Sequence, residues 1–184
     1  MNKKVKAQIS DAEGLKRTIT RLAHEILERN RGADNLVFLG IRTRGVPIAQ
    51  RIINKIYEIE KKQLPLGILD VTMYRDDVFK RIKMPKVQTT QIDFDIDGKV
   101  VILVDDVLYT GRTVRAALDA IMDFGRPTKI ELAVLVDRGH RELPIKADYV
   151  GITLHTSSGE EVRVKVNEID GEDGVYLVEA SGEG

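Results

Sequence analysis

The stretch VVILVDDVLYTGRT, residues 100–113, places two carboxylates, Asp105 and Asp106, directly after five apolar residues, and a Thr110-Gly111-Arg112-Thr113 turn just beyond them. A turn that brings backbone N–H groups, two hydroxyls and a guanidinium to the start of a helix is an anion site by geometry and dipole. A phosphate monoester fits it. The two carboxylates would repel such a phosphate at close range, but they accept hydrogen bonds from hydroxyls a sugar's length away. Vicinal ribose hydroxyls are the obvious donors, so the segment reads as a site for a ribose 5-phosphate. Asp-Asp alone is an ordinary solvated strand end and Thr-Gly an ordinary turn. The buried strand before them and the helix start after them give the combination its meaning.

These residues need elements to hold them. Leu36–Ile41 (LVFLGI), Leu66–Tyr74, Val100–Val107 and Ile130–Val136 (IELAVLV) read as buried strands. Between them, Leu15, Ile19, Leu22, Ile26 and Leu27 recur at helical spacing behind a capping box of Ser10 and Glu13, ending at Asn30-Arg31-Gly32. A second helix runs from about Val46, with Pro47 in its first turn and Ile48, Ile52, Ile53 and Ile56 on one face; a third covers Thr113–Phe124. Continuous apolar strands alternating with helices predict a parallel sheet covered on both faces. Tyr149–Thr153, Val162–Glu168 and Val175–Ala180 alternate instead, between Ser-Ser-Gly and Asp-Gly turns, and predict a small antiparallel appendage.

In such a sheet, ligands bind outside the carboxyl ends of the strands. The loops there are Arg42-Thr43-Arg44-Gly45, a long segment from Arg75 to Gly98, the Asp105–Thr113 segment, and Asp137-Arg138-Gly139-His140-Arg141. The Arg75–Gly98 segment, with Asp76, Asp77, Lys80, Arg81, Lys83 and Lys86, is too long for an idle connection and reads as a lid. No G-x-G-x-x-G follows the first strand, which disfavours a dinucleotide-binding domain.

Composition sets outer bounds. The 184 residues are expected to form one domain, since a chain of ~150 residues buries about 70% of its unfolded surface. Lysine plus arginine equals aspartate plus glutamate at 29 each, so any nucleic-acid surface must be a local patch. The sequence has no cysteine, which excludes disulfides, thiolate metal ligands and a thiol nucleophile. The polar N-terminus does not resemble a signal peptide and no apolar run approaches ~20 residues. The expected location is cytoplasmic, away from membranes.

The complete Asp-Asp-x-x-x-Thr-Gly-x-Thr motif resembles the signature of type I phosphoribosyltransferases, which binds phosphoribosyl pyrophosphate. The segments TRLAHEI, LGIRTRG, TMYRDD, VDDVLYTGRT and VDRGHRELPIKADYVG extend the likeness over nearly the whole chain. They are similar to the branch of that family that regulates pyrimidine operons by transcription attenuation and is also a uracil phosphoribosyltransferase. The resemblance implies an α/β fold: a central, mostly parallel sheet flanked by helices, a lid over about 75–98, and a small antiparallel hood from about 137–184. It implies the reaction of uracil with phosphoribosyl pyrophosphate to give UMP and pyrophosphate, with Mg2+ carried by the substrate and reached, if at all, through Asp105 and Asp106.

By the same resemblance, Asp105, Asp106 and Arg75 are catalytic, and Val107, Leu108, Tyr109, Thr110, Gly111, Arg112 and Thr113 complete the nucleotide loop. Arg42, Thr43, Arg44 and Gly45 match the pyrophosphate loop, which in the family can carry a strained or cis peptide. Arg138 and Val162 are expected at the base. Purine enzymes of this type carry a third acid just before the Thr-Gly, whereas this chain has Tyr109, which favours uracil. A phosphoribosyltransferase serving another base stays open, as does one without RNA regulation.

Arg17, Thr20, Arg21 and His24 project from the apolar stripe of the first helix. On a generic helix they form a solvated face. The resemblance makes them, with Arg141 and Lys146, contacts to the leader mRNA of a pyrimidine operon, sensitive to UMP or UTP. Relatives carry a basic residue after Gly151 where this chain has Ile152, which should weaken RNA binding by about one phosphate contact. A homodimer, and two dimers paired as a tetramer, are the assemblies the resemblance implies.

Overall fold

The structure is a computed structural model that describes residues 4–72 and 90–180. Among these residues, five strands form one sheet in the order β3-β2-β4-β5-β6. They are β2 (Leu36–Ile41), β3 (Leu66–Leu69), β4 (Val100–Leu108), β5 (Lys129–Asp137) and β6 (Tyr149–Thr153), and every pairing between them is parallel. Helices α1 (Ala12–Asn30) and α2 (Gly45–Glu60) cover one face, where Leu15, Ile26, Ile48 and Ile52 meet Phe38, Ile102 and Leu135. On the other face, Ala116, Ala117 and Ile121 of α3 (Arg112–Met122) pack on Val37, Leu103 and Val134. Covering both faces makes the strands continuous apolar runs rather than alternating ones.

A second sheet, β1-β8-β7, is antiparallel and joins β1 (Val5–Ser10) to β8 (Gly174–Glu179) and β7 (Glu160–Lys165). A four-residue helix, α4 (Asn167–Asp170), links β7 to β8. Val164, Val166 and Val175 of this region enter the same core as α1 and α2.

Several expectations are corrected. The cap of α1 is Asp11, whose Oδ1 accepts the Gly14 N–H at 2.8 Å; Ser10 belongs to β1 and the expected Ser10/Glu13 box does not form. β1 escaped the sequence reading because Val5, Lys6 and Ala7 are exposed, so the strand carries no apolar alternation. Tyr149–Thr153 is the parallel edge of the main sheet, not part of the antiparallel appendage. An edge strand is incompletely covered: β6 runs from buried Tyr149 through three half-buried residues to exposed Thr153, without the continuous burial of the central strands. The strand expected over Leu66–Tyr74 runs only to Leu69; Met73, Tyr74 and residues 75–89 of the expected lid lie outside the described residues.

At the amino ends of β5 and β6, a polar cluster is sunk into this fold. Tyr149 donates to Glu131 Oε2 at 2.5 Å, Asn30 donates to the Tyr149 oxygen, and Arg29 and Lys129 lie 3.3 Å from the Glu131 carboxylate. Burial pushes the Glu131 carboxyl up, but hydrogen bonds from Tyr149, Asn30 and Lys129 outweigh it and leave the group below its ordinary value. A carboxyl depressed in the folded state stabilises the protein above its unfolded pKa, and that contribution is lost as pH falls through the folded value. Tyr149→Phe should therefore cost about 1.5–3 kcal/mol at neutral pH, the scale of a hydrogen bond to a charged group. Glu131→Gln should flatten the acid limb of the stability curve, measured by chemical denaturation between neutral and acidic pH.

Candidate active site

Strand β4 carries its apolar run to Val104 and then turns polar where the sheet ends. Asp105 is buried, 7% exposed, and its Oδ1 accepts the Asp106 N–H at 2.9 Å. Asp106 Oδ1 accepts the Val107 N–H at 2.8 Å. Each carboxylate is thus oriented by the next backbone amide. Beyond them, Gly111 caps α3 at φ 93°, a left-handed conformation that favours glycine. Thr110 Oγ1 accepts from the Arg112 N–H at 3.3 Å, and Arg112 Nε pairs with Glu142 at 2.7 Å. The Thr110 carbonyl accepts from Glu142 and Leu143, tying the loop after β5 to this turn.

The neighbouring strand end supplies the basic turn. The Arg42–Thr43 peptide is cis. Gly45 opens α2 so close to β4 that a Cβ there would stand 2.4 Å from the Val104 carbonyl oxygen and 3.3 Å from Asp105 Cα. Only a residue without a side chain lets the turn lie against the acidic strand end. Arg44 does not point freely toward a ligand: its Nε and Nη2 donate to the two oxygens of Asp170 at 3.1 and 2.7 Å. The hydrogen bond from Arg44 holds the Asp170 carboxyl below the usual range. Asp170 was not singled out from the sequence, because nothing local marks it as facing α2.

On the other side of Asp105–Thr113 opens a cavity of about 490 Å³. Val107, Tyr109, Arg138, His140 and Val162 line it, with the Ser157-Ser158-Gly159 turn across from them. The two residues expected at the base, Arg138 and Val162, therefore meet there. Arg138 is 7% exposed and donates to the Glu160 carbonyl at 2.8 Å and to Thr156 Oγ1 at 3.2 Å. Its guanidinium lies 4.0 Å from the centre of the Tyr109 ring. His140 Nε2 sits 2.6 Å from the Thr156 carbonyl oxygen, which can only accept, so this nitrogen carries a proton. His140, Ser157 and Ser158 were missed from sequence, although His140 lies in the same loop as Arg138.

Of the residues expected at RNA, Arg17, Arg21 and His24 are exposed on α1, while Thr20 is half-buried toward α2 and donates to the Lys16 carbonyl at 3.0 Å. Arg21 pairs with Glu25 at 2.7 Å and also donates to the Gly151 carbonyl of β6. Lys146 is exposed before β6. Arg141 is engaged within its own loop, donating to Asp137 Oδ2 at 2.6 Å and to the carbonyls of Ile145 and Tyr109 at 2.9 Å each. No described contact joins Arg141 or Lys146 to the α1 residues. Arg75 lies outside the described residues.

The phosphoribosyl transferase domain model matches residues 6–169. The bifunctional protein PyrR of Pelotomaculum thermopropionicum is 60% identical over 96% of this chain and 97% of its own length. PyrR of Clostridioides difficile is 59% identical over 95% and 98%. The chain belongs to the PyrR family of phosphoribosyltransferases. Its fold is also that of more distant enzymes. A hypoxanthine phosphoribosyltransferase of Trypanosoma cruzi superposes with a TM-score of 0.72 at 16% identity, covering 96% of this chain and 98% of that one. A hypoxanthine-guanine phosphoribosyltransferase of Bacillus anthracis gives 0.71 at 20%, covering 95% and 99%.

In this PyrR-family chain, Ile152 lies on β6 and packs against the α1–α2 core, so the apolar residue at this position gains burial. Among the described residues no helix is long and apolar enough to cross a membrane. The Gly45 contact gives a direct test of how the site is assembled. Gly45→Ala should force the basic turn away from β4, cost about 1–3 kcal/mol of stability as overpacking does, and raise KM for the diphosphate substrate. Thermal melts and initial-rate kinetics on one preparation would measure both.

Proposed function

We propose that the chain transfers the phosphoribosyl group of phosphoribosyl pyrophosphate to uracil, releasing UMP and pyrophosphate, and that it also binds pyrimidine-operon leader RNA in response to the nucleotide it makes. The observation that carries this reading is the convergence of three chemistries on the end of β4. The sugar–phosphate loop Asp105–Thr113 lies between the basic turn Arg42–Gly45 and the cavity of Tyr109, Arg138 and Val162. A substrate with a diphosphate on one side of a ribose and a planar base arriving on the other has this shape.

Breaking the anomeric C–O bond develops positive charge on the ribose ring and negative charge on the departing diphosphate. Asp105 and Asp106 hold the ribose hydroxyls and, as anions, favour the cationic ring. Thr110, Gly111 and Thr113 hold the 5-phosphate at the α3 N-terminus. Arg42, Thr43 and Arg44 attend the leaving group, and Arg75 is the proposed lid cation. Asp105 and Asp106, each oriented by the next backbone amide, offer oxygen ligands of the kind a hard divalent ion arriving on phosphates takes, which fits Mg2+. Mg2+, held through Asp105 and Asp106 if by the protein at all, would neutralise charge on the diphosphate, while the residues of this loop orient the sugar.

At the base, Tyr109 occupies the position where a third carboxylate would serve a purine nitrogen, and its ring is stacked on Arg138. That supports a pyrimidine. The names of the purine enzymes sharing the fold do not weigh against it, since at 16–20% identity the likeness extends to the fold alone. For RNA, the exposed Arg17, Arg21 and His24, with Thr20 at their edge and Lys146 beyond, supply cations and hydrogen bonds of the kind that read loops and bulges. Arg141 joins that surface with whatever its loop contacts leave available. A homodimer, alone or paired into a tetramer, is the assembly we propose.

Uracil, cytosine, orotate, hypoxanthine and guanine assayed in parallel should give product chiefly with uracil, and magnesium chelation should abolish it. Asp105→Asn with Asp106→Asn should lower turnover by about 100-fold, the scale seen when a group stabilising transition-state charge is removed, with the melting temperature retained. Preference for a purine, or parental turnover in the double variant, would overturn the assignment.

Leader RNA titrated at fixed salt should bind several-fold more tightly with UMP than without it. Thr20→Ala with His24→Ala should weaken that binding while leaving uracil transfer intact. RNA binding that ignores both UMP and the substitutions would leave the catalytic activity standing alone.

A further inference from the structure

We infer that Asp170 is a positioning residue for the transfer reaction: it holds Arg44 turned toward the C-terminal segment and partly neutralised, so that the diphosphate is bound weakly enough to leave. The inference rests on reading Arg42–Gly45 as the diphosphate turn. Asp170 takes the Nε–Nη2 edge of Arg44 with both carboxylate oxygens, at 3.1 and 2.7 Å. That edge is the face of a guanidinium that grips a phosphate bidentately. Here a carboxylate from elsewhere in the chain already fills it.

The carboxylate is itself fixed. Asp170 Oδ2 also accepts the Val166 N–H at 2.9 Å, so it cannot follow Arg44 if the guanidinium swings toward a ligand. A diphosphate that takes the Nε–Nη2 edge must break the pair; one that uses the remaining Nη1 donors meets a cation whose charge is largely answered. Asp106 acts on the same cation from the sugar side. With two acids around it, Arg44 is a restrained anion partner.

A second clamp shows that holding the segment down does not require Asp170. Arg51, two helical turns beyond Arg44 on α2, pairs with Glu168 at 2.5 and 2.8 Å and with Asp173 at 2.7 and 3.1 Å. Those contacts pin the α4 segment to α2 through a cation seven residues past Arg44, with Glu168 also bordering the cavity beside Arg42 and Thr43. The Arg44–Asp170 pair engages a cation of the basic turn itself, so its consequence falls on an anion bound at that turn.

The experiment compares wild type, Asp170→Ala, Asp170→Glu, Arg44→Ala and the Arg44→Ala/Asp170→Ala double variant, measuring product inhibition by pyrophosphate, KM for phosphoribosyl pyrophosphate, and melting temperature. Removing a fixed anion beside the cation should lower the pyrophosphate inhibition constant and KM by about tenfold in Asp170→Ala. Asp170→Glu should return both toward wild type, and Asp170→Ala should have no effect on inhibition when Arg44 is already alanine. An inhibition constant that is unchanged or raised, or that falls equally without Arg44, would overturn the inference. If Asp170→Ala does not fold, Asp170→Asn, isosteric and uncharged, makes the same comparison. If wild type transfers nothing to uracil, the diphosphate reading is what fails. Calorimetric titration of wild type and the Asp170 variant with magnesium pyrophosphate then tests the pair directly, equal affinities ruling it out.

Discussion

The site depends on one close approach between two backbones. Gly45 lies against the Val104 carbonyl and Asp105 Cα with no room for a side chain between them. That contact sets the start of α2 against the point where β4 changes from apolar to acidic. It thereby fixes how far the basic turn stands from the carboxylates. A parallel sheet brings loops to one edge in any case, but only to within the spacing of its strands. The missing Cβ supplies the last closeness, which allows one small ligand to touch both loops.

Around that contact, charge is distributed in pairs. The chain is neutral overall, yet Arg44, Arg51, Arg112, Arg141 and Arg21 each meet a carboxylate. The exposed ones among them, such as Arg21–Glu25, contribute little to stability, typically under about 1 kcal/mol each. Their effect here is positional. Arg112–Glu142 and the Arg141 hydrogen bond to the Tyr109 carbonyl draw the loop after β5 onto the turn at the start of α3, while Arg44 and Arg51 hold the segment after β7 against α2. The antiparallel sheet is thereby brought over the cavity where Arg138 and Val162 meet. The proposed anion and base subsites share this one set of arginine contacts.

Buried Glu131 and Tyr149, with half-buried Asn30 and exposed Arg29 and Lys129 around them, sit at the other end of the main sheet, at the amino ends of β5 and β6. They order the junction of α1 with the edge strand far from the carboxyl ends. Substitutions there should alter stability and its acid limb while sparing the chemistry. The two ends of one sheet divide the work, stability at the amino end and ligand binding at the carboxyl end.

The sequence by itself determined what lies along the chain. Its apolar runs marked the buried strands, the period of α1 and α2 marked their faces, and the spacing from Asp105 to Thr113 marked the candidate sugar–phosphate loop, because each is a local property of consecutive residues. Where a signal depended on neighbours in space, it misled or was silent. β6 is only half-buried because it is the parallel edge of the main sheet, β1 is exposed and pairs through its backbone, and Asp11 rather than Ser10 caps α1 because β1 claims Ser10. Only the tertiary structure decided that Arg44 faces Asp170, that His140 and the Ser157–Ser158 turn join Arg138 at the cavity, and that Arg141 is held within its own loop. Those partners lie far apart in sequence or depend on how a loop closes, and hydrogen bonds act across distances that folding alone creates.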